Sequence, residues 1–461
     1  MKFKPLPIKD FPKPLPILKI IGPSFIILGL GLGSGELILW PYLSSKYGLG
    51  IIWGTIVGIT FQFFMNMEIE RYALARGESI FVGFARKLKI LPYWFVLSTF
   101  IPWIWPGIAA SSAQIFGHII GYNKTTPITI ALLILIGLIL SLGSTLYKTM
   151  ERLQKTIIII GVPFIFGITI FLAQKAHWIA LAKGSIGIGE GFFGLPAGIS
   201  IATFLGALAY AGAGGNLNLA QSFYVKEKGY GMGVYAEKIR GILFGNKKTI
   251  TVTGNQFEPT ESNLKDFKKW WKNINIEHAL IFWLTGMLTM LLLGLLSYTT
   301  LYGTSGQTEG IGFLFLEADR IKMMLFPLAG VFFLAVVSLT LFSTQIGIMD
   351  ATSRIITENL ILSSEKLEGK SVSKMYYIVL WLQILAGVVI LLCGFTQPMQ
   401  LIVLAAVLNA FTMFVHSGLT LWVNMTLLGK KLRPSLFRFM VMFSAFAFYG
   451  SFSVYIIIQM L

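Results

Sequence analysis

A single carboxylate, Glu36, follows the run Gly29-Leu30-Gly31-Leu32-Gly33-Ser34-Gly35 inside an apolar stretch extending from residue 17 to about residue 42. A membrane-crossing helix takes about 20 predominantly apolar residues, and glycines crowded at its centre weaken it. The stretch therefore predicts a helix that breaks part-way across. Unwound backbone at that depth must be buried in protein or meet a cavity, because lipid offers its N–H and C=O groups no partner. Ser34 is placed to cap the second half-helix, which puts Glu36 in the first turn, at the positive end of the helix dipole, with the acid turned into the gap. A carboxylate near the bilayer centre costs about 2.5–3.5 kcal/mol on insertion scales, so such a residue usually serves a cation or a proton. The bland alternative is an acid satisfied by backbone amides. The glycine spacing also imitates a dinucleotide fingerprint, but that needs a preceding strand and a βαβ unit, and neither is present.

A second stretch repeats the peculiarity. Ala213-Gly214-Gly215-Asn216-Leu217-Asn218 lies in the middle of an apolar span at 196–223, with Ala207, Ala209, Ala211 and Gly212 before it and Gln221 after it. Paired interrupted segments in corresponding positions of two repeats are the best sequence pointer to a transporter's substrate site. Close packing through small residues is the alternative.

The elements that must position these residues follow from composition. Of 461 residues, 55% are hydrophobic and 12% charged, and the apolar runs recur nearly to the last residue, which predicts an all-α polytopic membrane protein. Eleven spans are expected, at 17–42, 50–67, 92–120, 127–146, 157–174, 196–223, 279–297, 323–348, 375–393, 399–427 and 436–461. With the N-terminus inside, only six of the 37 Lys and Arg residues fall in outer loops, namely Lys46, Lys124, Lys175, Lys183, Arg320 and Lys322. The positive-inside rule thus accounts for the net charge of +17 without nucleic acid. The lone Cys393 forms no internal disulfide and reads as a packing residue.

Residues 1–16 form a basic, proline-punctuated tail, expected to be cytoplasmic and not a removable signal. The hydrophilic insert 224–278 carries a strand-like run at Thr249-Ile250-Thr251-Val252-Thr253-Gly254-Asn255. From Ser262 to Ile276, Leu264, Phe267, Trp270, Trp271 and Ile274 share one helical face while most lysines lie elsewhere. That pattern suits a helix on the membrane surface or one packed on the protein's own loop.

With these features in place, the chain resembles the Nramp (natural-resistance-associated macrophage protein) family of divalent-metal transporters. The likeness runs from about Gly22 through the tenth span and is clearest where Gly22-Pro23-Ser24-Phe25 leads into the first break. The resemblance implies a LeuT-type fold of two inverted five-helix repeats, 17–195 and 196–427, with residues 428–461 as an added eleventh helix. The family's first-helix motif Asp-Pro-Gly-Asn falls on Gly33-Ser34-Gly35-Glu36, and its sixth-helix Met-Pro-His-Asn on Ala213-Gly214-Gly215-Asn216. Only Gly35 and Asn216 match. The family's metal-binding Asp, Asn and Met positions become Gly33, Glu36 and Ala213, and its histidine becomes Gly215.

Without the thioether, the remaining donors are hard oxygens, which suit Mg²⁺, Ca²⁺ or Mn²⁺ better than iron. Glu36 and Asn216 are the expected metal ligands. Gly33, Ser34, Ala213, Gly214, Asn218, Asn409 in the tenth span and Gln345 in the eighth complete the expected substrate site. The cation is substrate, with no resident cofactor expected. The family's third-span acid has no counterpart, since that span offers only Gln114 and His118, and the ninth span has Gln383 where a basic residue is expected. His118 reads as an interfacial residue, His416 and Asn424 as packing or path residues, and Pro102-Trp103-Ile104-Trp105-Pro106 as a kinked, bulky wall.

Three functions compete. The first is a secondary transporter of a hard divalent cation in the plasma membrane. The second is a symporter for a small amino-acid-like solute, whose carboxylate would sit on the amides of Gly33-Ser34-Gly35. The third is a non-transporting sensor or scaffold acting through the insert 224–278. An enzyme is not expected, for neither a Walker motif nor H-E-x-x-H is present.

Overall fold

The computed structural model describes residues 3, 5–142, 146–236, 252–304, 310–364 and 372–460, and all its elements are helices. Among the described residues, nine helices are long and apolar enough to cross a membrane: Leu49–Arg76, Leu91–Ile119, Thr125–Leu142, Met150–Leu172, Glu261–Leu301, Ala329–Ser363, Val372–Leu392, Pro398–Leu427 and Leu436–Ile456. The bent pair Pro23–Gly31 and Gly35–Tyr47 adds a tenth. The expected sixth span consists of two helices too short to cross alone, Ile201–Ala209 and Gln221–Lys228. All eleven expected spans are thus present as helix, and they are named below by their order in the chain.

Burial separates an inner group from a rim. The apolar windows of the second, third and eighth spans are 61%, 67% and 67% buried within the protein, against 33%, 39% and 28% for the fourth, fifth and eleventh. Both broken spans belong to the inner group, where protein covers their unwound backbone.

Local chemistry sets the ends and kinks. The third span divides into Leu91–Trp103 and Gly107–Ile119 because Pro102 and Pro106 each remove a backbone donor. The second span stops at Gly77, whose left-handed backbone (φ 63°) lets its N–H close on Ala73 O. The eighth span is displaced from its expected limits, running from Ala329 to Ser363, with Phe313–Met324 a separate helix before it. It continues past residue 348 because Asp350 and Arg354, one turn apart, neutralise each other within it.

The tail and the insert embrace one another. Gln256 N donates to Pro7 O and Lys9 N to Gln256 O, so Ile8 and Gln256 form a short parallel bridge. The helix Glu261–His278 runs directly into the seventh span and turns Phe267, Trp270 and Ile274 inward; Phe267 meets Phe11, and Trp270 Nε1 donates to Pro12 O. Of the two settings expected for this amphipathic helix, packing on the protein's own chain is the one observed. The strand-like run fares differently: residues 249–251 lie outside the described residues, and 252–255 are not strand. There Gly254 N is held by Glu78 and Asn255 N by Arg76 O. Cys393 corrects the packing expectation, since it is exposed just beyond the end of the ninth span at Leu392.

Candidate functional site

The first span bends by 40° between its halves. Leu32 and Gly33 form a turn, Ser34 is already helical (φ −68°, ψ −39°), and Gly35–Leu39 winds as a π-turn, a local widening frequent at functional sites. Ser34 forms no side-chain cap, contrary to expectation. An N-cap residue needs a non-helical backbone to swing its hydroxyl over the next turn, and Ser34 lacks one.

The glycines serve a close approach of two backbones. A Cβ on Gly31 would stand 2.8 Å from the carbonyl carbon of Gly212, and one on Gly35 would stand 1.7 Å from Tyr210 O. The first break is therefore pressed directly on the second. Gly33 faces another neighbour, Thr344 of the eighth span, whose hydroxyl donates to Gly29 O at 2.9 Å.

The sixth span unwinds fully. Helix ends at Ala209, residues 210–214 are irregular, and a 3₁₀ segment, Gly215–Ala220, leads into the second half. Gly214 sits at φ 76°, where a side chain would be strained. Gln62 of the second span braces this break from both sides, donating through Nε2 to Ala209 O at 3.0 Å and accepting through Oε1 from Gly214 N at 3.1 Å. From the tenth span, His416 Nε2 donates to Gly215 O at 3.0 Å, and Asn409 Nδ2 donates to the Tyr210 hydroxyl at 3.0 Å. Ala209 O, Gly214 N and Gly215 O, freed by the unwinding, thus find partners on other spans.

Several oxygens do not. Glu36 is fully buried, and among the described residues neither carboxylate oxygen has a hydrogen-bond partner. Asn216 donates to Ser98 Oγ at 2.9 Å and Thr99 Oγ1 at 3.0 Å in the third span but leaves its Oδ1 unpartnered. Asn218 has neither amide atom paired, and Asn409 keeps an unpartnered Oδ1. Such groups are rare in folded proteins, because a buried acceptor without a partner costs roughly 1–3 kcal/mol.

The direction of Glu36 corrects the expectation that it faces the sixth span. Its Oε1 lies 3.4 Å from where Gly286 of the seventh span would carry a Cβ, in a corner closed by Leu28 and Ile59. The reason is the same helical periodicity: Gly31 and Gly35 occupy the face against the sixth span, so the next residue turns aside. Glu36 and Asn216 consequently meet different neighbours, the seventh and third spans. Ala213, Gly214, Asn216, Asn218 and Asn409 gather around the second break, all buried. Gln345 lines a small cavity beside the second break, together with Trp103, Trp105 and Tyr210. Among the described residues, no three His, Cys, Asp or Glu side chains converge as a metal site.

Gln62, Ser98, Thr99 and Tyr210 were not among the expected site residues. Gln62 had a readable signal, a lone amide in an apolar span, whereas Ser98 and Thr99 are too ordinary to stand out. The bulky wall is observed: Trp103 stacks on Tyr210 with ring centres 5.5 Å apart. His118 stacks on Phe315 at the exposed end of the third span, as an interfacial residue would. Gln383 donates to Ser353 in the eighth span, and Asn424 to Glu68 O. A buried cation does stand near the ninth span, but on the eighth: Arg354, held by Asp350 and Glu227.

No family model and no curated protein matches the chain in sequence. In structure it is similar to a manganese transporter of Eremococcus coleocola. A histidine-to-alanine mutant of that protein superposes with TM-score 0.70 at 11% identity, covering 96% of this chain and 88% of that one. The same transporter in complex with an aromatic bis-isothiourea compound superposes with TM-score 0.64 at 12% identity, covering 97% and 90%. The fold is therefore that of a multi-pass membrane protein of the LeuT type, as the Nramp resemblance implies. It places the protein in a lipid bilayer.

Proposed function

We propose that the protein is a secondary transporter of the Nramp-related type, moving a hard divalent cation such as Mg²⁺ or Mn²⁺ by alternating access around its two interrupted spans. The observation that carries this reading is the set of buried, unpartnered oxygens: both carboxylate oxygens of Glu36 and the Oδ1 atoms of Asn216, Asn218 and Asn409. One charge and several neutral oxygens suit a cation that keeps part of its water shell, and no sulfur donor is present among them to favour iron. Ala213, Gly214, Gly33 and Ser34 shape the cradle without supplying side-chain charge. Because Glu36 and Asn216 face different neighbours, joint ligation requires the two side chains to turn toward one another as the spans rearrange, which is the kind of change alternating access supplies.

The similarity in fold to a manganese transporter's structure supports the same reading. The proposal takes residues 17–195 and 196–427 as the two repeats, 428–461 as the eleventh helix, the tail as cytoplasmic and the plasma membrane as location. The amino-acid alternative is less well supported, since Tyr210 O occupies the space over Gly35 that a bound carboxylate would need. Uptake by proteoliposomes offered a panel of divalent cations and amino acids tests the proposal. Saturable Mg²⁺ or Mn²⁺ uptake that Glu36→Gln abolishes supports it; amino-acid uptake with indifference to divalents overturns it.

A further inference from the structure

We propose that Glu277, Ser24, His278 and Glu70 form a proton-binding relay, separate from the oxygen site, whose protonation is coupled to the second half of the sixth span. Glu277 and His278 are neighbours where the amphipathic helix enters the seventh span. Glu277 Oε1 accepts from Gly22 N at 3.3 Å, and its Oε2 accepts from the Ser24 hydroxyl. The same hydroxyl oxygen is 2.7 Å from His278 Nδ1, which in turn stands 3.6 Å from Glu70 Oε1 in the second span. Glu70 Oε1 accepts from Gln221 Nε2 at 2.6 Å, and Gln221 opens the helix that follows the second break. Two hydrogen-bonded groups, Glu277–Ser24–His278 and Glu70–Gln221, thus meet across 3.6 Å and bring the first, second, sixth and seventh spans together.

The cluster is buried. Ser24, His278 and Gln221 are fully buried, Glu70 and Glu277 nearly so, and the imidazole lies between Phe63 and Phe282, with ring centres 5.6 and 4.7 Å away. Among the described residues, His278 Nε2 and Gln221 Oε1 have no hydrogen-bond partner. Few charges face the cluster. Lys155 approaches Glu277 from the fifth span but is already bonded to Ile21 O and to Glu151, which Lys228 also holds. On the far side of the second span, Glu68 is answered by Arg71 and Arg438. Two carboxylates therefore flank one imidazole in a buried site, and a bound proton is the least costly way to reduce their charge.

The Ser24 hydroxyl gives that proton two seats. With Glu277 protonated, its O–H donates to Ser24 Oγ, and the serine hydroxyl donates to Nδ1 of a neutral imidazole. When the carboxyl proton moves to Ser24 Oγ as the serine proton moves to Nδ1, Glu277 becomes a carboxylate and His278 an imidazolium facing Glu70. Each O–H bond broken is matched by an O–H or N–H bond formed. Removal of the proton leaves Glu70 and Glu277 both ionised about a neutral ring, a repulsion relieved when the spans part. Gln221 transmits this to the second break, because its amide is bonded to Glu70 and any displacement of that acid is passed to the helix Gln221–Lys228.

The coupling rests on the transporter reading above; the proton site does not, and two measurements separate them. In proteoliposomes loaded with a pH-sensitive dye, Mg²⁺ or Mn²⁺ uptake should acidify the lumen, and Glu277→Gln and Ser24→Ala should lose that acidification. Cation uptake by the unaltered protein with no proton movement would overturn the coupling while leaving the transporter reading intact. Absence of any uptake would count against that reading instead. Infrared spectroscopy of the purified protein during a pH titration then decides the site itself. A protonated-carboxyl band that disappears on alkalinisation and is missing in Glu277→Gln or shifted in Ser24→Ala supports the relay, and spectra unchanged by both substitutions overturn it.

Discussion

Gln62→Leu is the substitution whose consequence the structure fixes most tightly. The side chain makes two hydrogen bonds, both to backbone groups that the unwinding of the sixth span has freed, at Ala209 O and Gly214 N. Leucine keeps the bulk and removes both. Two buried backbone groups left bare cost about 1–3 kcal/mol each, whereas interhelical hydrogen bonds in a membrane protein average only about 0.6 kcal/mol, since the unfolded chain in lipid also finds partners. Together these bound the loss at roughly 1–6 kcal/mol, and full burial of Gln62 argues for the upper half. Gln62→Glu is no milder, since an ionised carboxylate still accepts from Gly214 N–H but buries a charge and turns an oxygen toward Ala209 O. Reversible unfolding in mixed micelles should place wild type above both Gln62→Leu and Gln62→Glu in stability. A Gln62→Leu protein within about 0.5 kcal/mol of wild type, the scatter expected for an unimportant surface position, would refute the idea that this residue braces the break.

Other outcomes follow from the same geometry. Gly35→Ala would drive a methyl group into Tyr210 O, which is backbone and has nowhere to go, so a large loss of melting temperature in detergent is expected; Gly167→Ala, with nothing within 4 Å, should be neutral or slightly stabilising. Arg354→Ala leaves Asp350 and Glu227 buried without their cation, a loss of about 3–5 kcal/mol measurable by chemical unfolding. Glu317, in the helix Phe313–Met324, is pushed up to about 8 by burial, with the Ser297 hydroxyl opposing the shift. Its folded state therefore holds a proton that the unfolded chain releases nearer 4.5, so stability should decline from about pH 4.5 to about pH 8. Melting curves of Glu317→Gln should be flatter across that window. Deleting residues 252–260 should unseat the tail at Ile8 without removing the oxygen site, and loss of cation binding in that variant would favour the sensor reading.

Much of this architecture was legible in the chain, and the exceptions have physical causes. Apolar runs and glycine crowding located both interruptions, because glycines weaken a helix and backbone freed at that depth needs protein around it. How each interruption is built was not legible: the first is a turn followed by a π-turn, the second a five-residue unwinding, and the difference depends on Gln62 and His416 reaching in from other spans. The expectation for Ser34 failed because capping depends on a backbone conformation that residue type alone does not set. Glu36 was found by its type, but its direction follows from Gly31 and Gly35 being consumed by contact with Gly212 and Tyr210. The eighth span exceeded its expected end because polar residues stop a hydropathy reading, whereas the Asp350–Arg354 pair lets the helix continue.

The central claim is that Glu36 binds a hard divalent cation. Purified protein should melt at a higher temperature in Mg²⁺ or Mn²⁺, by an amount corresponding to about 2.7 kcal/mol when the cation is at a hundred times its dissociation constant. Glu36→Gln, which keeps the shape and removes the charge, should melt at one temperature with or without the cation. Equal stabilisation of both proteins by the divalent ion would contradict the account.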